Sequence, residues 1–255
     1  MYPVDLDKIV TWPSEVKAFL AAHSDELRTE RREDHRYSLS PSTYRFMNDA
    51  PPMPRWDEAK SVIQLAMSGL ELVAFHATRL IDFDQVRDCG LRMLDLKRHV
   101  ERLKSQLQKA GAVEALSEVD TAVTKMCEAH SSFSKREGAV WATPLRASLH
   151  DGGCNVFYES YGGEALQRIA DLADGELKRA LKRLGMPAVV IIRYPAHGWC
   201  ARTQDRLPQS MMELYLQHEG NWQAMDCGWD SKITVDVPPE NIVAVVHPDD
   251  PLVTA

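Results

Sequence analysis

Along the first half of the chain apolar residues recur at helical spacing, and along the last third they fall in short β-branched runs. From Pro13 to residue 30 the apolar positions Val16, Phe19, Leu20 and Leu27 predict a helix, with Pro13 suited to its first turn. The charged stretch from Arg28 to Pro54, with Ser40-Pro41-Ser42 and Pro51-Pro52, opposes regular structure and reads as a linker. Ala59, Val62, Ile63 and Ala66 then predict a helix over Trp56–Leu70, with Gly69 near its end. Glu71–His76 is strand-like. Asp82 caps a short helix through Phe83, Val86 and Cys89 that stops at Gly90.

Residues 92–132 carry Leu94, His99, Leu103, Leu107, Leu116, Val119, Val123 and Met126 at helical spacing, broken near Gly111, and predict an antiparallel helical hairpin. A short strand over Ala139–Ala142 follows. A loop rich in Gly152 and Gly153 leads on to Val156-Phe157-Tyr158, and a helix starting beyond Gly162 runs to about Leu184. The last third predicts strands at Ala188–Tyr194, near Met211–Leu216, at Ile233–Val237 and at Ile242–Val246. This order implies an α+β fold, a mixed β core decorated by helices from the N-terminal half. Residues 1–55 read as an N-terminal helix and linker. Residues 56–255 read as the main domain, carrying the helical insertion 92–132.

Composition narrows the classes without naming one. Of 255 residues 44% are hydrophobic and 26% charged, the usage of an ordinary folded protein. A net charge of -7 argues against a globally basic nucleic-acid coat. The five cysteines are odd in number and include no Cys-x-x-Cys pair, which points to reduced thiols and a cytoplasmic setting. Residues 1–10 lack the apolar stretch of a secretory signal, and the longest apolar run, Ala188–Ile192, is far short of the roughly 20 residues that cross a bilayer. No membrane partner is expected.

The most informative residues are Phe75-His76-Ala77-Thr78-Arg79. Alternation along a strand places His76 and Thr78 on one face, an imidazole beside a hydroxyl. Such a pair suits ribose hydroxyls, and Arg79 suits a phosphate. The same residues also serve as an ordinary turn or packing element. Gly162-Gly163-Glu164 is a second candidate: its glycines permit close backbone approach, and Glu164 falls in a helix first turn, where the dipole favours a carboxylate in any case. His197 follows a strand and suits a cleft wall. The sequence holds no His-x-x-x-His spacing, no phosphate-loop motif and no Gly-x-Ser-x-Gly elbow, so no metal site is expected.

The stretch from Phe75 to Arg79, followed by Phe83 to Gly90-Leu91, resembles the first motif of the ADP-ribosyltransferase superfamily, a His-x-Thr strand end before a helix closing in Gly-Leu. The resemblance extends over roughly residues 71–250. It implies that NAD is the cosubstrate, held by His76 and Thr78 with Arg79 alongside. It further implies an aromatic against the nicotinamide, for which Trp141, Tyr158 and Tyr161 occur in the right order, although each also suits a core position. Trp229-Asp230-Ser231-Lys232 through Pro238-Pro239-Glu240-Asn241-Ile242 is similar to the family's closing pattern and places Asp230 at the catalytic acidic position, where glutamate is usual; Glu164 is the other candidate anion. The implied partners are a macromolecular acceptor, nucleic acid or protein, and an antitoxin or other regulatory partner, in the manner of toxin or phage-defence enzymes. Two other readings stand beside this one: an NAD enzyme acting on an RNA 2′-phosphate, and a non-catalytic interaction protein using its helices as a surface.

Overall fold

A computed structural model describes residues 3–40, 50–129, 137–150, 152–173, 175–220 and 231–254. The N-terminal half holds helices α1 (Ser14–Leu39) and α2 (Pro54–Met67), strand β1 (Glu71–Leu80), and helices α3 (Phe83–Cys89), α4 (Leu96–Lys109) and α5 (Val113–Ala129). Strand β2 (Val140–Ala142) precedes α6 (Gly152–Glu159), α7 (Gly163–Asp171) and α8 (Glu176–Arg183). Strand β3 (Met186–Pro195), helix α9 (Ala201–His218), strands β4 (Ser231–Ile233) and β5 (Ile242–Val246), and helix α10 (Pro251–Thr254) complete the order. Helices with small antiparallel sheets make this an α+β chain, and it divides into two compact units.

The first unit comprises residues 1–72, 195–197 and 201–227. Its helices α1, α2 and α9 pack on one another through Leu20, Leu27, Trp56, Ile63, Met211 and Leu216, all buried. Glu30 of α1 caps α2 by accepting from the backbone N–H groups of Arg55 at 3.1 Å and Trp56 at 2.8 Å, amides that the first turn of α2 leaves without a partner. Arg31 donates through Nε at 3.0 Å and a terminal nitrogen at 2.7 Å to Glu213 of α9, and its guanidinium lies 5.5 Å from the Trp56 ring centroid. These tertiary bonds explain two departures from the sequence reading. The expected linker over 28–54 is helical as far as Leu39, and Met211–Leu216, expected as a strand, lies in the 18-residue helix α9. This unit also draws α2 and α9 together with α1, so the boundary expected at residue 55 does not coincide with the division into units.

The second unit comprises residues 73–194, 198–200 and 228–255. Its main sheet has the order β1-β3-β5, with β3 in the centre. Strands β3 and β5 are antiparallel, Val189 opposite Val246, with a register shift between Ile191 and Ile192. Central placement buries both faces of β3, which is why Ala188–Ile192 is an unbroken apolar run rather than an alternating one. One face of the sheet packs Phe75, Val189 and Ile191 against Leu149 and Val253. A separate two-stranded sheet pairs β2 with β4, Val140 opposite Ile233 and Ala142 opposite Ser231.

The hairpin expected over 92–132 is present as α4 and α5. Leu103, Leu107, Val119 and Met126 pack with Leu166, Ile169, Leu177 and Leu181 of α7 and α8 in a second core. The single helix expected up to Leu184 is broken between α7 and α8 at Gly175, whose φ of 114° is left-handed. Glu118 of α5 accepts from the Leu177 amide at 2.9 Å, serving the first turn of α8 as Glu30 serves α2. At the base of the insertion Leu94 accepts from the Gly138 amide at 2.9 Å and donates to the Ala139 carbonyl at 3.1 Å, so the chain leaves and re-enters at one neck.

Helix α3 starts and stops as its sequence predicts. The Asp82 carboxylate accepts from the Asp84 amide at 2.9 Å, and Gly90 ends the helix with φ 70°. A Cβ at Gly90 would stand 2.0 Å from the Val237 carbonyl oxygen, whereas Gly111, with φ 67°, has nothing within 4 Å. The two glycines therefore separate conformational cost from collision. Gly111→Ala is expected to lose about 1–2 kcal/mol, the cost of a left-handed alanine. Gly90→Ala is expected to lose clearly more, measured as a lower midpoint of urea or thermal unfolding; equal losses would show that the Val237 backbone yields freely.

Candidate active site

Strand β1 presents different chemistry on its two faces. Phe75 and Ala77 join the apolar cluster under the main sheet, while His76 and Thr78, one position out of phase, share the opposite face and are half-buried. Beside them runs β2. The two strands meet at a single antiparallel pair, with the Phe75 amide 2.8 Å from the Thr143 carbonyl and the Thr143 amide 2.9 Å from the Phe75 carbonyl. A continuing ladder would next pair Ala77 with Trp141. Instead the His76 imidazole turns to that position, with Nδ1 2.6 Å from the Trp141 carbonyl oxygen.

This bond fixes the chemistry of the ring. A carbonyl can only accept, so Nδ1 carries the proton and donates. Burial holds the imidazole below its ordinary pKa, and the bond to Trp141 opposes that shift without cancelling it. The neutral ring is then protonated on Nδ1, and Nε2 bears a lone pair. Nε2 is then an acceptor, able to receive an O–H group.

The other expected site residues divide sharply. Arg79 is a strut: Nε donates to the Leu184 carbonyl at 3.0 Å, and its terminal nitrogens donate to Tyr158 at 2.7 Å, Lys182 at 3.1 Å and Gly185 at 2.6 Å. Four of its five N–H donors hold carbonyls at the ends of α6 and α8, which corrects the expectation of a phosphate ligand. Tyr161 is a core residue of the helical cluster, its ring enclosed by the hairpin, rather than a free stacking surface. Tyr158 sits on α6, a helix that begins at Gly152 where a glycine-rich loop was expected, and packs against the Phe75 cluster; burial pushes its phenol strongly up, and its hydroxyl has no hydrogen-bond partner. Trp141 stays half-exposed on β2, opposite Lys232 of β4.

Glu164 lies in the first turn of α7 and pairs with Arg168 one turn on, the position a helix dipole favours. Asp230 lies outside the described residues; its neighbour Ser231 begins β4 opposite Ala142. His197 belongs to the first unit. Among the described residues no group of three or more His, Cys, Asp or Glu is placed to hold a metal ion, and no helix is long and apolar enough to cross a membrane.

Two ends of the resembling sequence meet in space. Leu91, which follows the Gly90 stop, pairs antiparallel with Val237, amide to carbonyl at 2.8 Å in both directions. Gly90 therefore serves two ends: it closes α3 and lets the backbone before Pro238 approach. Ser231 and Arg146 were not singled out in the sequence. Arg146 is buried over the Phe75 ring at 4.7 Å and donates from Nε to the Leu252 carbonyl at 3.2 Å, pinning α10. No family model, curated protein or solved structure matches the chain.

Two outcomes test this geometry. Arg79→Lys keeps one charge but cannot reach four carbonyls, so a loss of about 2–4 kcal/mol is expected in chemical denaturation. A fully stable Arg79→Lys protein would contradict the strut. His76 and His99 are both held below their ordinary value of 6.5 by burial. The unfolded chain therefore binds protons that the native chain refuses, and stability falls as pH drops below about 6.5, by at most about 1.4 kcal/mol per pH unit for each ring. Thermal midpoints measured from pH 7.5 to 5 should fall, and His99→Gln should flatten that fall.

Proposed function

We propose that this chain is an NAD-consuming ADP-ribosyltransferase acting on a macromolecular acceptor, with an ADP-ribosyltransferase-like arrangement of β1, β2 and β4 around its site. The observation that carries the reading is the tautomer of His76. A neutral imidazole with Nδ1–H engaged by Trp141 leaves Nε2 as an acceptor for a ribose hydroxyl, and Thr78 stands on the same face as a second short polar group.

In this reading the bond between ribose C1′ and the nicotinamide nitrogen breaks with both electrons leaving on the nicotinamide, which departs neutral. Positive charge builds on the ribose ring and is stabilised by a carboxylate. Asp230 is the proposed carboxylate, from its place just before β4. The acceptor nucleophile then bonds to C1′ and gives up its proton to solvent. Tyr161 is enclosed and Trp141, although half-exposed, stands on the strand face opposite His76, so the aromatic against the nicotinamide is left unassigned. Transfer to an RNA 2′-phosphate is less well supported, since it calls for converging cations and the Arg79 guanidinium is already bonded to backbone carbonyls.

Nicotinamide release from NAD by the purified protein tests the proposal. His76→Ala should lower kcat/KM by at least about tenfold, the loss of one well-placed hydrogen bond to the ligand. Asp230→Ala should lower kcat and Glu164→Ala should leave it near wild type. A wild-type protein that neither binds nor cleaves NAD would overturn the assignment.

A further inference from the structure

Helix α4 carries five cations against the single anion Glu101, and α8 carries four against Glu176. Together the two helices hold +7 in a chain whose net charge is -7. The cations are ordered as well as numerous. Val100, Leu103 and Leu107 bury one side of α4 in the helical core. Opposite them, three or four residues apart, stand Arg98, Arg102, Ser105 and Lys109, all exposed. At 1.5 Å of rise per residue this stripe is about 16 Å long. On α8 the burial of Leu177 and Leu181 turns Lys178, Arg179, Lys182 and Arg183 outward in the same way. The two faces approach each other at Arg102. Burial raises the pKa of the Tyr161 phenol, the charge of Arg102 opposes that rise, and the Tyr161 amide donates to the Leu181 carbonyl at 3.1 Å in the last turn of α8.

Internal pairing and helix chemistry account for only part of this charge. Asp95 pairs with Arg98, Asp120 with Lys104, Asp171 with Lys178 and Glu176 with Arg179. Among the described residues no carboxylate bonds Lys97, Arg102, Lys109, Lys182 or Arg183. A helix dipole favours cations in a last turn, which suits Lys109, Lys182 and Arg183. It disfavours them in a first turn, yet α4 opens with Lys97 and Arg98 and no acidic residue. Lys97 is thus both unpaired and disfavoured by its own helix, the mark of a charge set for an anion outside the chain.

Three features choose that anion. The stripe is long and regular, as an extended phosphate backbone requires and a single phosphate does not. Neither helix carries a phenylalanine, tyrosine or tryptophan, so unpaired bases would find no stacking platform. The apolar side of α4 is already buried in the core, so it has nothing left to enter a lipid surface.

We propose that the outward faces of α4 and α8 are a docking surface for double-helical nucleic acid, gripping its phosphate backbone without reading its sequence. The proposal does not rest on the NAD reading. Joined to it, it makes nucleic acid the acceptor class.

Fluorescence anisotropy of a labelled DNA duplex of about 20 base pairs, with the full chain, no NAD and salt from about 50 to 200 mM, tests this. Affinity should fall steeply with salt. Arg102→Gln combined with Lys109→Gln should weaken binding at least about tenfold at the low-salt end. It should also make the slope of log K against log salt shallower by about 2, one phosphate contact for each cation. Both residues are exposed, so the thermal midpoint should stay at the wild-type value. Lys8→Gln combined with Lys60→Gln makes the same charge change in the first unit and should leave affinity and slope unchanged. No duplex binding at the low-salt end overturns the proposal, as does an equal loss from the Lys8 and Lys60 changes. Tighter binding to the single strand, to polyglutamate or to phosphatidylserine vesicles also overturns it and assigns the face to that occupant instead.

Discussion

The site depends on the hydrogen bond from His76 Nδ1 to the Trp141 carbonyl. Strands β1 and β2 share one pair, Phe75 with Thr143, and at the next ladder position the imidazole takes the carbonyl that a backbone amide would otherwise bond. Replacing the next ladder bond by an imidazole satisfies the Trp141 carbonyl. The same bond selects the tautomer and so decides that Nε2 accepts rather than donates. Burial reinforces the choice by disfavouring the charged ring, which would make both nitrogens donors.

Around this bond the second unit is tied by contacts distant in sequence. Arg79 holds the ends of α6 and α8 through their carbonyls. Gly90 admits the Val237 backbone, and the Leu91–Val237 pair joins the end of α3 to the approach of β5. Glu118 completes the first turn of α8, as Glu30 completes that of α2 in the first unit. At Arg79, Glu118 and Glu30 a backbone group that its own element cannot satisfy is met by a side chain from elsewhere, as the cost of burying an unpaired amide or carbonyl requires.

Elements announced by local chemistry were readable in advance. Asp82 and Gly90 bracket α3 because capping acts within a few residues, and the hairpin of α4 and α5 follows from an apolar stripe repeated over several turns. The readings failed where the deciding contact was remote. Met211-Met212 and Tyr215-Leu216 form an apolar run that suits a strand as well as a helix; packing against α1 and α2 together with the Arg31–Glu213 pair settles it as helix. The charged stretch after Arg28 had no apolar stripe to mark it, yet it remains helical to Leu39.

For the site, the sequence by itself determined that His76 and Thr78 share a face, since alternation along a strand admits nothing else once β1 is extended. It also determined that Gly90 would end a helix. Only the tertiary structure decided that the guanidinium of Arg79 faces carbonyls rather than solvent, that Tyr161 is enclosed by the hairpin, and that the Ser231 hydroxyl is buried without a partner. The reason is range. Alternation and capping are written in neighbouring residues, whereas the partner of a side chain is set by whichever strand or helix end folds against it.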